Sequence, residues 1–247
     1  MSDYNFEDNA NIAVFGSTGG IGSAILKELE EDPKVNQIYA FSRSGQDDSE
    51  CGKTISKSFD LRDETSIEKA AEIVESNLDM VFVATGVLHE DDVLEPEKAI
   101  RDLTPEQLKF SYEINTIGPA LIGKHFLPKM RSDRKSVFAV LSARVGSISD
   151  NNDIGGWYAY RASKAALNMI VKNFSIELGR KNKHLVVTGL QPGTVDTNLS
   201  DPFQHFVKDD HIFTPQFAAT SLLATLDKLS ASESGRLFDW QGEEFQP

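Results

Sequence analysis

Tyr160 and Lys164 stand four residues apart in a stretch that reads as helix, a spacing that puts two side chains one turn apart on the same face. A free phenol titrates near ~10 and exchanges protons poorly at neutral pH, whereas an ammonium a few ångströms away favours the phenolate and lowers that value. The pair therefore has the makings of acid/base chemistry at an oxygen. Of the tyrosines at 4, 39, 112, 158 and 160, only Tyr160 is followed by lysine at this offset. The same spacing also describes a packed ring beside a solvated amine, so the rest of the chain has to decide between the two.

The elements that would position such a pair alternate along the whole chain. Short apolar runs at 12–15, 37–41, 54–59, 80–84, 136–141, 185–190 and 236–239 read as strands, several of them apolar at successive positions as strands covered on both faces are. Between them lie amphipathic helices. The first carries Ile21, Ile25 and Leu29 and stops before Pro33. Another opens with Thr104, Pro105, Glu106 and Gln107, an N-cap, a first-turn proline and a glutamine able to close a capping box. Its stripe runs on through Phe110, Ile114, Ile117 and Leu121, and the helix of Tyr160 and Lys164 carries Leu167, Ile170, Val171, Phe174 and Leu178. This alternation predicts an α/β fold: one Rossmann-type domain over residues 1–247, a seven-stranded parallel sheet with helices on both faces, and ligands at the carboxyl ends of the strands.

After the first strand comes Gly16-Ser17-Thr18-Gly19-Gly20-Ile21-Gly22, leading straight into the first helix. Glycines at 16, 20 and 22 allow a tight turn and close backbone approach, and a helix N-terminus suits a pyrophosphate. Nucleotide binding is the reading. At the end of the second strand, where an NAD-preferring site places an acid for the ribose hydroxyls, stand Ser42 and Arg43. An arginine fork and a hydroxyl suit a 2′-phosphate, so NADP(H) is preferred and NAD(H) is the second choice. Asp47 and Asp48, in the following loop, could reach the ribose only if that loop folds back.

Composition narrows the partners. Twenty-five Lys and Arg against thirty-eight Asp and Glu leave a formal charge of −13, which disfavours nucleic acid and anionic membrane. The single cysteine, Cys51, allows no intrachain disulfide and reads as an exposed loop thiol. The first ten residues are polar and acidic, and no apolar run approaches a membrane span, so a cytoplasmic location is expected. The five histidines form no paired ligand spacing, and no metal is expected.

These features in this order resemble the short-chain dehydrogenase/reductase family over nearly the whole chain. The matching residues are Gly16, Gly20 and Gly22, then Asn115, Ser142, and Tyr160 with Lys164; further signatures fall on Asp60 and Leu61 and on Pro192, Gly193 and Thr197. The stretches GGWYAYRASKAALN and SGRLFDWQG look most similar to the C-factor-like and sniffer-like carbonyl reductase branch. The resemblance implies that Tyr160 protonates a carbonyl oxygen as hydride arrives, and that Lys164 depresses its pKa and holds the nicotinamide ribose. It also implies that Ser142 donates to the same oxygen, while Asn115 holds a water in a relay behind Lys164. Ser17, Thr18, Ile21, Ala84 and Gly86 join the cofactor contacts.

Three departures from the family pattern stand out. The usual Asn-Asn-Ala-Gly after the fourth strand is Val83-Ala84-Thr85-Gly86. Ser142 and Tyr160 are eighteen positions apart, with SDNNDIGG filling an enlarged loop. The segment expected to form a substrate lid, about 194–214, carries Phe203, Phe206, Phe213, His205 and His211, aromatics that suit an apolar or aromatic carbonyl or, for one or two of them, packing into the core. The reading is an NADPH-dependent reductase of a small-molecule carbonyl. Helices at 104–130 and 157–180 would offer a homodimer or homotetramer face. The alternatives are an epimerase or dehydratase, for which the chain after Lys164 is short, and a dinucleotide-binding regulatory or signalling protein.

Overall fold

A computed structural model describes residues 4–45, 51–74, 77–91, 93–151, 155–206 and 211–247. Asp47 and Asp48 lie outside the described residues. Strands β1 (Ala10–Phe15), β2 (Val35–Ser42), β3 (Thr54–Ser58), β4 (Met80–Val83), β5 (Ser136–Leu141), β6 (Leu185–Gln191), β9 (Leu237–Asp239) and β10 (Glu244–Phe245) form one sheet in the order β10-β9-β6-β5-β4-β1-β2-β3. The expected seven parallel strands are all present. An eighth, β10, pairs antiparallel with β9 and corrects the strand count. It escapes a periodicity search because it is only two residues long and is held by its hairpin partner rather than by a pattern of its own.

Helices α1 (Gly20–Glu31) and α6 (Pro215–Lys228) cover one face, where Ile25, Leu29, Leu222, Leu223 and Leu226 meet Ile12 and Val14. Helices α2 (Glu64–Glu72), α4 (Gly118–Phe126) and α5 (Tyr158–Leu178) cover the other, where Ile67, Ile122, Phe126, Leu167 and Val171 meet Ala13 and Phe15. Strand β1 alternates between the two cores, as a period of two requires. The rings of Phe15, Phe41, Phe59 and Phe126 pack with centroids 4.8–6.1 Å apart. Three of them immediately precede Gly16, Ser42 and Asp60, so this cluster anchors the rim on which the predicted cofactor residues sit. Burying each ring contributes roughly 1.5–3 kcal/mol.

The chain order reverses at β1, which pairs with β2 on one side and β4 on the other. The loops after β1 and β4 leave in opposite directions and open a crevice there. A small parallel pair, β7 (Thr194–Val195) with β8 (Ile212–Phe213), ties the two ends of the expected lid together. Among the described residues no helix is long and apolar enough to cross a membrane.

The helix read across 104–130 is broken. α3 (Pro105–Tyr112) passes into a π-helical turn, Glu113–Ile117, before α4 begins. The wider turn shifts the phase of the stripe, turning Asn115 fully inward and leaving Ile117 48% exposed, against the sequence expectation for Ile117. Thr104 caps α3 by accepting from the Gln107 N–H at 3.2 Å, but the buried Gln107 Oε1 has no partner, so the capping box does not close. Cys51 is half-buried rather than exposed.

Candidate active site

The glycine turn is built by its neighbours. Gly16 has φ +77°, and its N–H and that of Ser17 donate to the Phe41 carbonyl at 2.8 and 3.2 Å. A Cβ on Gly22 would lie 2.1 Å from the Gly16 carbonyl oxygen, so the helix can approach the turn only without one. Gly22→Ala is expected to destabilise the fold by about 1–3 kcal/mol and to weaken dinucleotide binding at least tenfold. Urea unfolding and an NADPH titration measure both, with Gly52→Ala, at a site with nothing within 4 Å, as the neutral control. The α1 N-terminus has Gly19 as its cap, no side-chain cap bond and no acid in the first turn. Its free N–H groups thus face no competing carboxylate from its own first turn. Thr18 is exposed, Ser17 is buried, and Ile21 packs on the core.

Along the rim, Ser42 is buried and its hydroxyl accepts from the Gly45 N–H at 3.0 Å. Arg43 is exposed, and its guanidinium has no hydrogen bond or ion pair among the described residues. Asp60 is exposed and its carboxylate accepts from the Arg62 N–H, while Leu61 is buried against Gly118. Thr197 reaches the same place from the other side: its methyl lies 2.4 Å from where a Gly20 Cβ would stand. Pro192 is half-buried just past β6.

The loop after β4 links this turn to the chemistry. The place a Gly16 Cβ would take is 3.1 Å from the Ala84 carbonyl and 3.3 Å from the Thr85 methyl. A Gly86 Cβ would stand 3.5 Å from both Asn115 Oδ1 and Lys164 Nζ. Thr85 Oγ1 is buried there without a partner. The mid-helix asparagine, odd by propensity, is explained by the π turn: Asn115 Oδ1 accepts from the Val87 N–H, and Nδ2 donates to the Val87 carbonyl, both at 2.8 Å, and to Ser163 Oγ at 3.1 Å. Asn115 thereby staples this loop to α5. A glycine cradle, a helix N-terminus with no acid in its first turn, and an arginine and a buried hydroxyl without partners among the described residues fit a phosphorylated dinucleotide.

Lys164 Nζ lies 5.8 Å from the centre of the Tyr160 ring and donates to the Leu141 carbonyl at 2.7 Å. The pair comes together, but not with the proton balance expected from its spacing. Burial pushes the Lys164 amine down to about 7 and raises the Tyr160 phenol above its ordinary value. Loss of hydration disfavours both charged forms, most strongly at Lys164, which is buried, and less at Tyr160, which is half-buried. The phenol therefore stays protonated across the neutral range.

Ser142 is buried at the end of β5, and its Oγ donates to Asn168 Oδ1 at 2.6 Å. Several contributors escaped the sequence reading. Asn168 is four residues beyond Lys164 on the same helix face, a signal the sequence does hold. Trp157 takes a left-handed backbone, φ +50°, held by its N–H donating to the Glu97 carbonyl at 2.7 Å. The buried Glu97 carboxylate accepts from the Ala159 N–H at 3.2 Å and so caps α5 from a distant loop. The Trp157 ring stands 6.4 Å from Tyr160 and 5.1 Å from Phe203, and Phe203 stands 5.7 Å from His89. His89 Nε2 bonds the Asn198 carbonyl at 2.8 Å and so ties the lid base to the β4 loop. Phe213 instead packs with Phe217 and Trp240, and His205 and His211 are exposed; the side chain of Phe206 lies outside the description. Among the described residues no cluster of His, Cys, Asp or Glu could hold a metal ion.

A family model for short chain dehydrogenases matches residues 10–207. The chain is 32% identical over 230 residues to 1-hydroxy-2-glutathionyl-2-methyl-3-butene dehydrogenase of Rhodococcus sp. (strain AD45), covering 92% of this chain and 95% of that protein. It is 34% identical over 146 residues to the C-signal of Myxococcus xanthus, covering 59% of this chain and 82% of that one, in keeping with the C-factor-like branch. In architecture it is similar to the NADPH-bound carbonyl reductase from chicken fatty liver, with a TM-score of 0.83 at 22% identity over 98% of this chain and 96% of that one. With the glycine turn, the Tyr–Lys pair and the sheet order all in place, the chain belongs to the short-chain dehydrogenase/reductase family of NAD(P)-dependent oxidoreductases.

Proposed function

We propose that the protein reduces the carbonyl of an aldehyde or ketone to an alcohol, with NADPH as the reductant. The observation that carries this reading is the 84–86 loop, which touches the glycine turn at one end and Lys164 at the other, beside Tyr160. When bound, the dinucleotide supplies the hydride. The turn from Gly16 to Gly22 and the α1 N-terminus hold the pyrophosphate, with Ser17, Thr18 and Ile21 lining it. Asp60, Leu61, Ala84, Gly86, Pro192 and Thr197 wall the rest of the cleft. Tyr160, kept protonated by burial, donates to the carbonyl oxygen as negative charge develops there. Lys164 contributes positive charge beside the phenol and a hydrogen bond to the nicotinamide ribose. Ser142 orients the same oxygen. Asn115 keeps the loop and α5 in register, with its side chain committed to Val87 and Ser163.

The rings of Trp157, Phe203 and His89, leading away from Tyr160, support an aromatic carbonyl as the substrate. A panel of aromatic and aliphatic aldehydes, ketones and diketones, run with NADPH and NADH and followed by loss of reduced-cofactor absorbance, tests class and cofactor together. Turnover of aromatic carbonyls with NADPH is the expected result; no turnover of any member would overturn the reading.

Arg43 and Ser42 set the cofactor preference. A guanidinium with no partner among the described residues is open to charge-assisted bonds to a 2′-phosphate, each contributing about 1.5–3 kcal/mol. Arg43→Leu is expected to raise KM for NADPH by about 10–100-fold and to leave KM for NADH within about twofold. Steady-state kinetics with both dinucleotides checks this, and an equal rise for the two would remove Arg43 from phosphate recognition.

A further inference from the structure

The Ser142 hydroxyl holds one proton and can donate one hydrogen bond. In the free protein that bond goes to Asn168 Oδ1 at 2.6 Å. Both side chains are 4% exposed, so the bond is shielded from water. The amide orientation follows from its other end: Asn168 Nδ2 faces the Gly146 carbonyl at 3.4 Å, where a reversed amide would set oxygen against oxygen. The Ser142 backbone is fixed as well, its N–H donating to the Leu190 carbonyl at 2.7 Å. Gly189 on β6 lies alongside the pair: a Cβ there would meet Leu237 Cδ2 at 2.7 Å and would stand in ordinary contact with the Ser142 Cβ at 3.4 Å and Asn168 Oδ1 at 3.9 Å.

Tyr160, Lys164 and Asn168 follow at four-residue steps along one face of α5, so one helix presents a phenol, an amine and an amide to the end of β5. Asparagine is a poor helix former, and burying its amide costs free energy unless both ends are bonded. Its two bonds here go to Ser142 and to the turn that follows it. Neither the fold nor the cofactor cleft described above calls for an amide at this position.

We propose that Asn168 is a positioning residue that acts on the reaction through Ser142: it fixes the serine rotamer and holds the hydroxyl proton until the substrate oxygen competes for it. The inference rests on the carbonyl-reductase reading. Without Asn168 the hydroxyl is free to turn among its staggered rotamers, and the oxygen that the substrate meets is no longer preorganised.

A double-mutant cycle of Asn168→Leu and Ser142→Ala tests it. With Ser142 present, Asn168→Leu is expected to lower kcat about tenfold while KM for NADPH stays within about twofold. In the Ser142→Ala background the same change is expected to lower kcat less than about twofold, because the residue it acts through is gone. Equal losses in the two backgrounds, or no loss in either, would overturn the proposal and leave Asn168 as packing. Urea midpoints of the four proteins without dinucleotide give a second readout: the double variant should shift by less than the sum of the singles, and additive shifts would exclude the pairing whatever turnover shows. Wild-type protein that turns over no carbonyl would instead remove the catalytic reading itself, while the urea cycle still decides whether the two side chains are coupled.

Discussion

Tyr160→Phe is expected to lower kcat for carbonyl reduction by about 10²–10⁴-fold and to leave NADPH affinity within about twofold, because only the proton donor is lost. The ring keeps its place: it stands edge-on to Trp157 at 6.4 Å and faces Lys164 Nζ at 5.8 Å, contacts phenylalanine can reproduce. Among the described residues the phenol hydroxyl has no hydrogen-bond partner, so its removal strands no buried donor or acceptor. The urea midpoint should accordingly hold or rise slightly. Measuring kcat, an NADPH titration and the urea midpoint on one preparation separates chemistry from binding and folding. Undiminished turnover would mean that the proton comes from elsewhere. A variant with no turnover but full biological activity would favour the alternative of a dinucleotide-binding regulator.

Lys164→Met is expected to abolish most turnover yet stabilise the free protein, and the gain should depend on pH. Burial holds the folded amine at about 7 against an ordinary value of 10.5, so between those values the unfolded chain binds a proton that the folded protein does not. Stability then rises with pH across that window, and below about 7 the penalty for the buried ammonium is present in full. Methionine carries no charge and escapes it. By ~1.36 kcal/mol per pKa unit the ceiling on the gain is roughly 5 kcal/mol, offset by about 1 kcal/mol for the lost bond to the Leu141 carbonyl. Urea unfolding at several pH values checks the sign: the advantage of the variant should be largest at and below pH 7 and shrink toward pH 10. A wild-type protein more stable than the variant at pH 6 would mean that the amine is not desolvated. A stability gained by removing a functional group is the trade expected where a site holds a charge out of water.

Much of the architecture was legible in the residues because it depends on local pattern. Apolar runs with a period of two or none, glycines at 16, 20 and 22, and helical stripes such as Ile25 and Leu29 all report on neighbours in the chain. They led to seven of the eight strands of the large sheet and to the nucleotide-binding turn after β1. The π turn was not legible, since a helix widened at Asn115 has the same composition as a regular one. What holds it open is the pairing of Asn115 with Val87, twenty-eight residues away. The cap on α5 was hidden for the same reason: Glu97 reaches Ala159 across sixty-two positions.

The sequence by itself pointed to the family, the succession of strands and helices along the chain, and the side chains available for chemistry, because spacing along a helix or around a turn fixes which groups lie together. Only the tertiary structure decided the state of those groups. Partial burial raises the Tyr160 phenol further above neutral, withdrawal from water brings the Lys164 amine into the neutral range, and the Ser142 proton is assigned to Asn168. Protonation and hydrogen-bond direction depend on burial and on partners distant in sequence, and those exist only once the sheet and helices have closed around them.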